Sequence, residues 1–153
     1  MDYRRIAAAS TTAMIVFSLY GFLVHGILIA RDYVPYEGVY RSGEAATSHT
    51  PFALVGVFIA ILIFSIVYAR TCGARGGSAG AFLGLLFGIF MAGAFAGVNY
   101  GTLQIGGKLA LEVAASESID WSLVGIVVGL IYKQASGTTI SRGKGREARK
   151  CRP

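Results

Sequence analysis

At 153 residues the chain is long enough for one domain, and 54% of it is hydrophobic with a mean hydropathy of +0.60, too apolar for an ordinary soluble protein of this size. Charged residues make up 14%, against about 25% in soluble domains, and they sit in short segments between long apolar runs. The formal net charge of +6 would suit a nucleic-acid partner, but seven of the fourteen Lys/Arg residues lie in the last twenty-one positions; the basicity belongs to a tail and no nucleic acid is expected.

These features predict an all-α integral membrane protein, an antiparallel bundle of four transmembrane helices. The first span covers residues 6–30, a stretch of 25 residues without formal charge, where about 20 apolar residues suffice to cross a bilayer. Arg4 and Arg5 before it give the outline of a signal peptide, yet no small-x-small cleavage site follows Val24 and the run continues to Ala30, so it reads as a retained helix. Residues 31–50 are polar, with Pro35, Asp32, Glu37, Glu44 and tyrosines 33, 36 and 40, and form a loop suited to an interface.

Pro51 fits the first turn of a second span, residues 51–69, which ends at Arg70. The segment Arg70 to Ser78 carries two arginines and three glycines and predicts a tight turn between antiparallel neighbours. A third span follows over 79–100. The clean apolar run 119–132 is only about 21 Å long at 1.5 Å per residue, against a hydrocarbon core of about 30 Å, so the fourth span must reach back to cover 109–132. That extension carries Glu112, Glu117 and Asp120 towards the membrane, and Asp120 is the most deeply submerged charge if Lys133 marks the inner boundary.

Lys/Arg asymmetry sets orientation. Eleven of the basic residues fall in the segments flanking one face (Arg4, Arg5, Arg70, Arg75 and the seven of the tail), while Arg31, Arg41 and Lys108 fall on the other. Both termini are therefore expected in the cytoplasm, in the inner or plasma membrane. Cys72 and Cys151 would then lie in a reducing compartment, and no CxxC or Cys/His zinc spacing occurs.

Membrane helices associate through close backbone approach, which small residues spaced four apart permit. Gly76, Gly80, Gly84 and Gly88 form one such series, Gly93, Gly97 and Gly101 a second after a five-residue step, and Gly125 and Gly129 a third on the last span. The two series on span three point about 140° apart at 100° per residue, which predicts that span three is central, with one partner near each membrane face. On span one, Thr11, Met14, Ser18, Gly21, His25 and Leu28 define a stripe at heptad spacing.

The topology brings His25 and His49 to one membrane face, together with six carboxylates, residue types that bind divalent metal or relay protons. No HxxxH or ExxH spacing places two ligands on one helix, and solvated loop acids, a His49 that caps or precedes span two and a His25 bonded to a backbone carbonyl or serine within the bundle explain the same residues. Asp120 and Glu117, with Asn99 as a neighbour, are either a structural pairing at the helix end or carriers on a proton or cation path. Trp121 beside them fits an interfacial anchor.

The tail, residues 134–153, is rich in Gly, Ser, Thr and basic residues and cannot build a core. Its Arg142, Lys144, Arg146, Arg149 and Lys150 suit contact with anionic lipid or an acidic partner subunit.

No Walker loop, dinucleotide fingerprint, serine elbow or metalloprotease motif occurs, so no enzyme activity and no cofactor beyond bound lipid is expected. Three functions stay open: an accessory or structural subunit of a larger respiratory, photosynthetic or oxidase-type membrane complex, held to lipids and other integral subunits by glycine-rich packing; a small homo-oligomeric transporter or channel using Asp120, Glu117 and Asn99; and a metal- or haem-binding membrane protein using His25 and His49.

Overall fold

The computed structural model describes residues 2–41, 43–72 and 75–147, with side chains over 2–41, 45–72 and 75–132. Among these residues the fold is all helical. Helix α1 (Tyr3–Leu23) runs into a π-helical turn (Val24–Leu28), followed by the short α2 (Ala30–Tyr33) and a 3-10 turn (Val34–Tyr36). After the loop come α3 (Gly43–Thr71), α4 (Gly77–Met91) with a second π-helical turn (Ala92–Gly97), α5 (Val98–Thr102) and α6 (Gly107–Glu147). Four helical stretches, Tyr3–Leu28, Ala45–Thr71, Gly77–Thr102 and Gly107–Tyr132, are long and apolar enough to cross a membrane.

Helix α3 starts well before Pro51, which lies inside it. Proline has no N–H for the helical ladder, and in the turn before it polar side chains bond back to the backbone: Ser48 and His49 reach the Ala45 carbonyl at 3.1 and 2.9 Å, and Thr50 reaches that of Ala46 at 2.9 Å. The polar segment that reads as loop in the sequence is thereby carried as helix, and His49 sits on it rather than ahead of it. At the other end of the chain α6 continues to Glu147. The side chains of Arg142, Lys144 and Arg146 and the whole of Arg149 and Lys150 lie outside the described residues.

The central helix is α6. In span four 39% of the most apolar window is buried, against 17% in span three. The reason is the way α6 uses two faces. One presents Gly125, Gly129 and the backbone of Ser118 and Trp121 to α4, where a Cβ on Gly80 would overlap the Gly125 carbonyl and one on Gly88 would stand 2.7 Å from Ser118 Cα. Partner numbers fall along α6 as they rise along α4, so the two helices run in opposite directions. The other face places Val124 and Val128 in a core with Ala9 and Ala13 of α1.

Only the first glycine series of span three is used this way. Gly93 has nothing within 4 Å of where a Cβ would stand, and Gly97 meets only the Ala92 carbonyl of its own segment at 3.9 Å. The π-helical turn begins between the two series; within it Ala96 is buried in a cluster with Leu109 and Val113 of α6, while Gly93 and Gly97 take no part in a close backbone contact.

One aromatic node ties all four spans together. The Trp121 ring lies 5.9 Å from Phe17 of α1, 5.9 Å from Phe64 of α3 and 4.6 Å from Phe87 of α4, in edge-on or tilted contacts. Such pairs contribute about 0.5–1.5 kcal/mol each beyond area burial. With 1% of its surface exposed, Trp121 is a core residue and not the interfacial anchor that its position beside Asp120 suggests.

On α1 the buried face is Ile6, Ala9, Ser10 and Ala13, whereas Thr11 and Leu28 of the expected stripe are exposed. Near the turn between α3 and α4 the buried Ser10 hydroxyl donates to Ser65 at 3.0 Å, Ser65 donates to the Ile61 carbonyl at 2.9 Å, and the Tyr68 hydroxyl donates to the Gly76 carbonyl at 2.9 Å. Gly76 adopts φ 85°, a left-handed conformation that favours glycine and turns the chain into α4.

Candidate functional site at the polar end of the helices

The opposite end, where α1 leads into α2 and α6 begins, gathers most of the described ionisable groups. The π-helical turn Val24–Leu28 carries His25, and its wider spacing is visible in the Ile29 N–H donating to the Val24 carbonyl at 2.9 Å, a five-residue step. Such turns interrupt a helix by one extra residue and frequently occur at functional sites.

His25 is bonded on both sides. Its Nδ1 stands 2.9 Å from the Tyr33 hydroxyl of α2 and its Nε2 3.3 Å from the Ser116 hydroxyl of α6. Tyr33 packs edge-on against Tyr40 with ring centres 5.2 Å apart. Burial pushes the Tyr33 phenol up to about 12, and the neighbouring Tyr40, Glu117 and Glu112 add to the rise. Where the phenol donates to Nδ1, the hydrogen of a neutral imidazole is on Nε2 and faces Ser116 Oγ. Burial also raises the Tyr40 phenol, with Tyr36 a smaller cause.

Around this core Lys108 joins the loop to the helix. Its Nζ lies 2.7 Å from Asp32 Oδ1 and 3.4 Å from Glu112 Oε1, an arrangement open to solvent on the lysine side and therefore worth little as a clamp. The Tyr36 hydroxyl sits against the Gly106 backbone, where a Cβ would collide with it.

Further into α6 stand the acids. Ser116 and Asp120 are each 4% exposed and lie one helical turn apart. Asp120 Oδ1 and Glu112 Oε2 are buried without a hydrogen-bond partner, a condition that costs about 1–3 kcal/mol per group. Glu117 borders a cavity of about 180 Å³ between the spans, walled by Phe17, Val57, Ala60, Met91 and Phe95. The Trp121 indole interacts with Glu117 but reaches no hydrogen-bond geometry.

Several residues singled out in the sequence thus meet here and others do not. His25, Glu112, Glu117 and Asp120 belong to one polar group. Asn99 is half-buried on α5, where its backbone carbonyl accepts from Leu103 N–H at 2.8 Å. His49 spends its Nδ1 on Ala45 and Ser48 of its own helix. Among the described residues no group of three or more His, Cys, Asp or Glu side chains is arranged to hold a metal ion. A serine within the bundle was an expected partner of His25, and Ser116 is that serine; Tyr33 was not anticipated.

The class defined by these features is a protein of four membrane-length helices with a polar cluster near one end. No protein-family model, curated protein or solved structure matches the chain, so fold and site alone carry the functional reading.

Proposed function

We propose that this is an integral membrane protein whose four helices form an antiparallel bundle with both termini in the cytoplasm, and that it serves as an accessory subunit seated in a larger membrane complex of respiratory, photosynthetic or oxidase type. The orientation rests on Lys/Arg asymmetry, which puts the polar end at the outer face and the α3–α4 turn inside. Large apolar side chains such as Leu19, Phe22, Phe82 and Phe90 are exposed, as a lipid-facing surface requires.

The observation that carries the subunit reading is the unequal use of one packing device. Gly80, Gly84 and Gly88 lie hard against α6, while Gly93 and Gly97 face a shallow apolar groove, with Ala110 and Ala114 of α6 forming its far wall. A groove walled by small residues admits a helix from a neighbouring subunit at close range. The basic tail would add contact with anionic lipid or an acidic neighbour.

Purification in mild detergent followed by native mass analysis tests this. The wild-type protein is expected to carry other integral membrane proteins with it, and Gly97→Leu, which fills the groove, to release them while the chain stays folded. A solitary monomer or homodimer in the wild type contradicts the proposal.

A further inference from the structure

The polar end contains a chain of groups that the subunit reading does not use. It begins at the surface with Lys108, Asp32 and Glu112, passes the tyrosine pair Tyr33 and Tyr40, crosses the imidazole of His25, and reaches Ser116 on the same face of α6 as Asp120. Beyond Asp120 this face of α6 continues as Val124 and Val128, packed on Ala9 and Ala13. The hydrogen-bonded groups from the polar end run as far as Ser116, and one turn further on the same face Asp120 keeps a carboxylate oxygen without a partner.

We infer that this chain is a proton-entry route from the polar end, with His25 and Ser116 as its relay and Asp120 as the proton-binding site that it loads. The imidazole is placed for the task because its two nitrogens face different hydroxyls. A proton taken up at Nδ1 from the Tyr33 side makes an imidazolium, which releases the Nε2 proton to Ser116 Oγ. The serine's own proton moves on to the Asp120 carboxylate, one helical turn further along α6, and Tyr33 takes a replacement proton from the surface in the same shift, so that it is never left as phenolate. Each step moves one proton in and one out, so neither hydroxyl keeps a charge. The π-helical turn sets His25 at this crossing, and Gly26 within it has only the flexible Phe22 ring beside it.

The titratable and charged groups facing the route are Asp32, Tyr33, Tyr36, Glu37, Tyr40 and Arg41 from the loop segment and Lys108, Glu112 and Glu117 from α6. Spans two and three meet the Glu117 level with Val57, Ala60, Met91 and Phe95, which do not titrate, and span three brings Tyr100 to Gly107 at the start of α6. Glu117, three residues before Asp120, shares its neighbourhood and is the second group able to hold the arriving proton.

Infrared difference spectroscopy of the purified full-length protein tests the route. The carboxylic C=O band that disappears in Asp120→Asn belongs to the protonated site, and its shift on transfer into deuterated buffer reads the exchange rate. In the wild type this band is expected to exchange rapidly. His25→Phe and the smaller change Ser116→Ala should each slow it by at least about tenfold, while Ser10→Ala, which breaks a hydrogen bond near the other end, leaves it unchanged. Equal rates in wild type, His25→Phe and Ser116→Ala would overturn the inference. So would slowing by Ser10→Ala of the same size, or the absence at every pH of a band that depends on Asp120.

Discussion

Gly84 of α4 lies directly beneath the Trp121 carbonyl of α6, so closely that a Cβ on the glycine would occupy the same space as that oxygen. Both atoms are backbone, so no rotamer change relieves the overlap, and Gly84→Ala must push the helices apart. It is expected to destabilise the protein by about 1–3 kcal/mol or more, whereas Gly93→Ala, which meets open space, should stay within about 0.5 kcal/mol. Thermal unfolding in detergent compares the two. Equal effects would remove the case for a close α4–α6 contact.

Trp121 is the sole tryptophan of the chain and is 1% exposed among Phe17, Phe64 and Phe87. Its emission should be shifted to the blue and poorly quenched by acrylamide. Phe87→Leu removes the closest ring contact, 4.6 Å between centres, and should cost about 0.5–1.5 kcal/mol from that pair alone and raise the quenching constant. An emission typical of water-exposed indole in the wild type would place Trp121 outside the node.

The Tyr33 phenol is raised from 10.0 to about 12 in the folded protein, chiefly by burial. Its folded value lies above its unfolded one, so the stability linked to its proton is complete below pH 10.0 and is lost as pH rises towards about 12. Melting temperature should therefore fall across that interval in the wild type and fall less in Tyr33→Phe. Parallel curves for the two proteins would show that Tyr33 is not the group responsible.

Ser10 and Ser65 are both fully buried, and their hydroxyls meet at 3.0 Å between α1 and α3. Hydrogen bonds between membrane helices couple by about 0.6 kcal/mol on average. A double-mutant cycle of Ser10→Ala and Ser65→Ala should return a coupling of that order. Strict additivity would mean that Ser65 is held by the Ile61 carbonyl alone.

The four spans were legible because each is a long apolar run, and the backward extension of span four followed from length arithmetic that the helix start at Gly107 satisfies. The beginning of α3 was not legible, since Ser48, His49 and Thr50 read as loop residues until their side chains are seen to bond the backbone of their own helix. Glycine spacing identified α4 as a packing helix, but spacing alone is silent on whether a partner is present, and Gly93 and Gly97 lack one within this chain. Trp121 misled because tryptophan beside an acid is common at interfaces, while its three aromatic neighbours come from three other helices, far away in sequence. At the polar end His25 and Asp120 stood out by type and a serine within the bundle was expected beside the histidine; Tyr33, which links the histidine to α2, carries no charge and gave no comparable signal.

Membrane sidedness underlies both the subunit reading and the direction of the proton route, and it is measured most directly by cysteine labelling in intact cells. With Cys151 replaced by serine, Cys72 at the end of α3 should react with a membrane-impermeant maleimide only after permeabilisation. His49→Cys, in a background without either native cysteine, should react without it. Labelling of Cys72 in intact cells, or protection of position 49, would contradict the account.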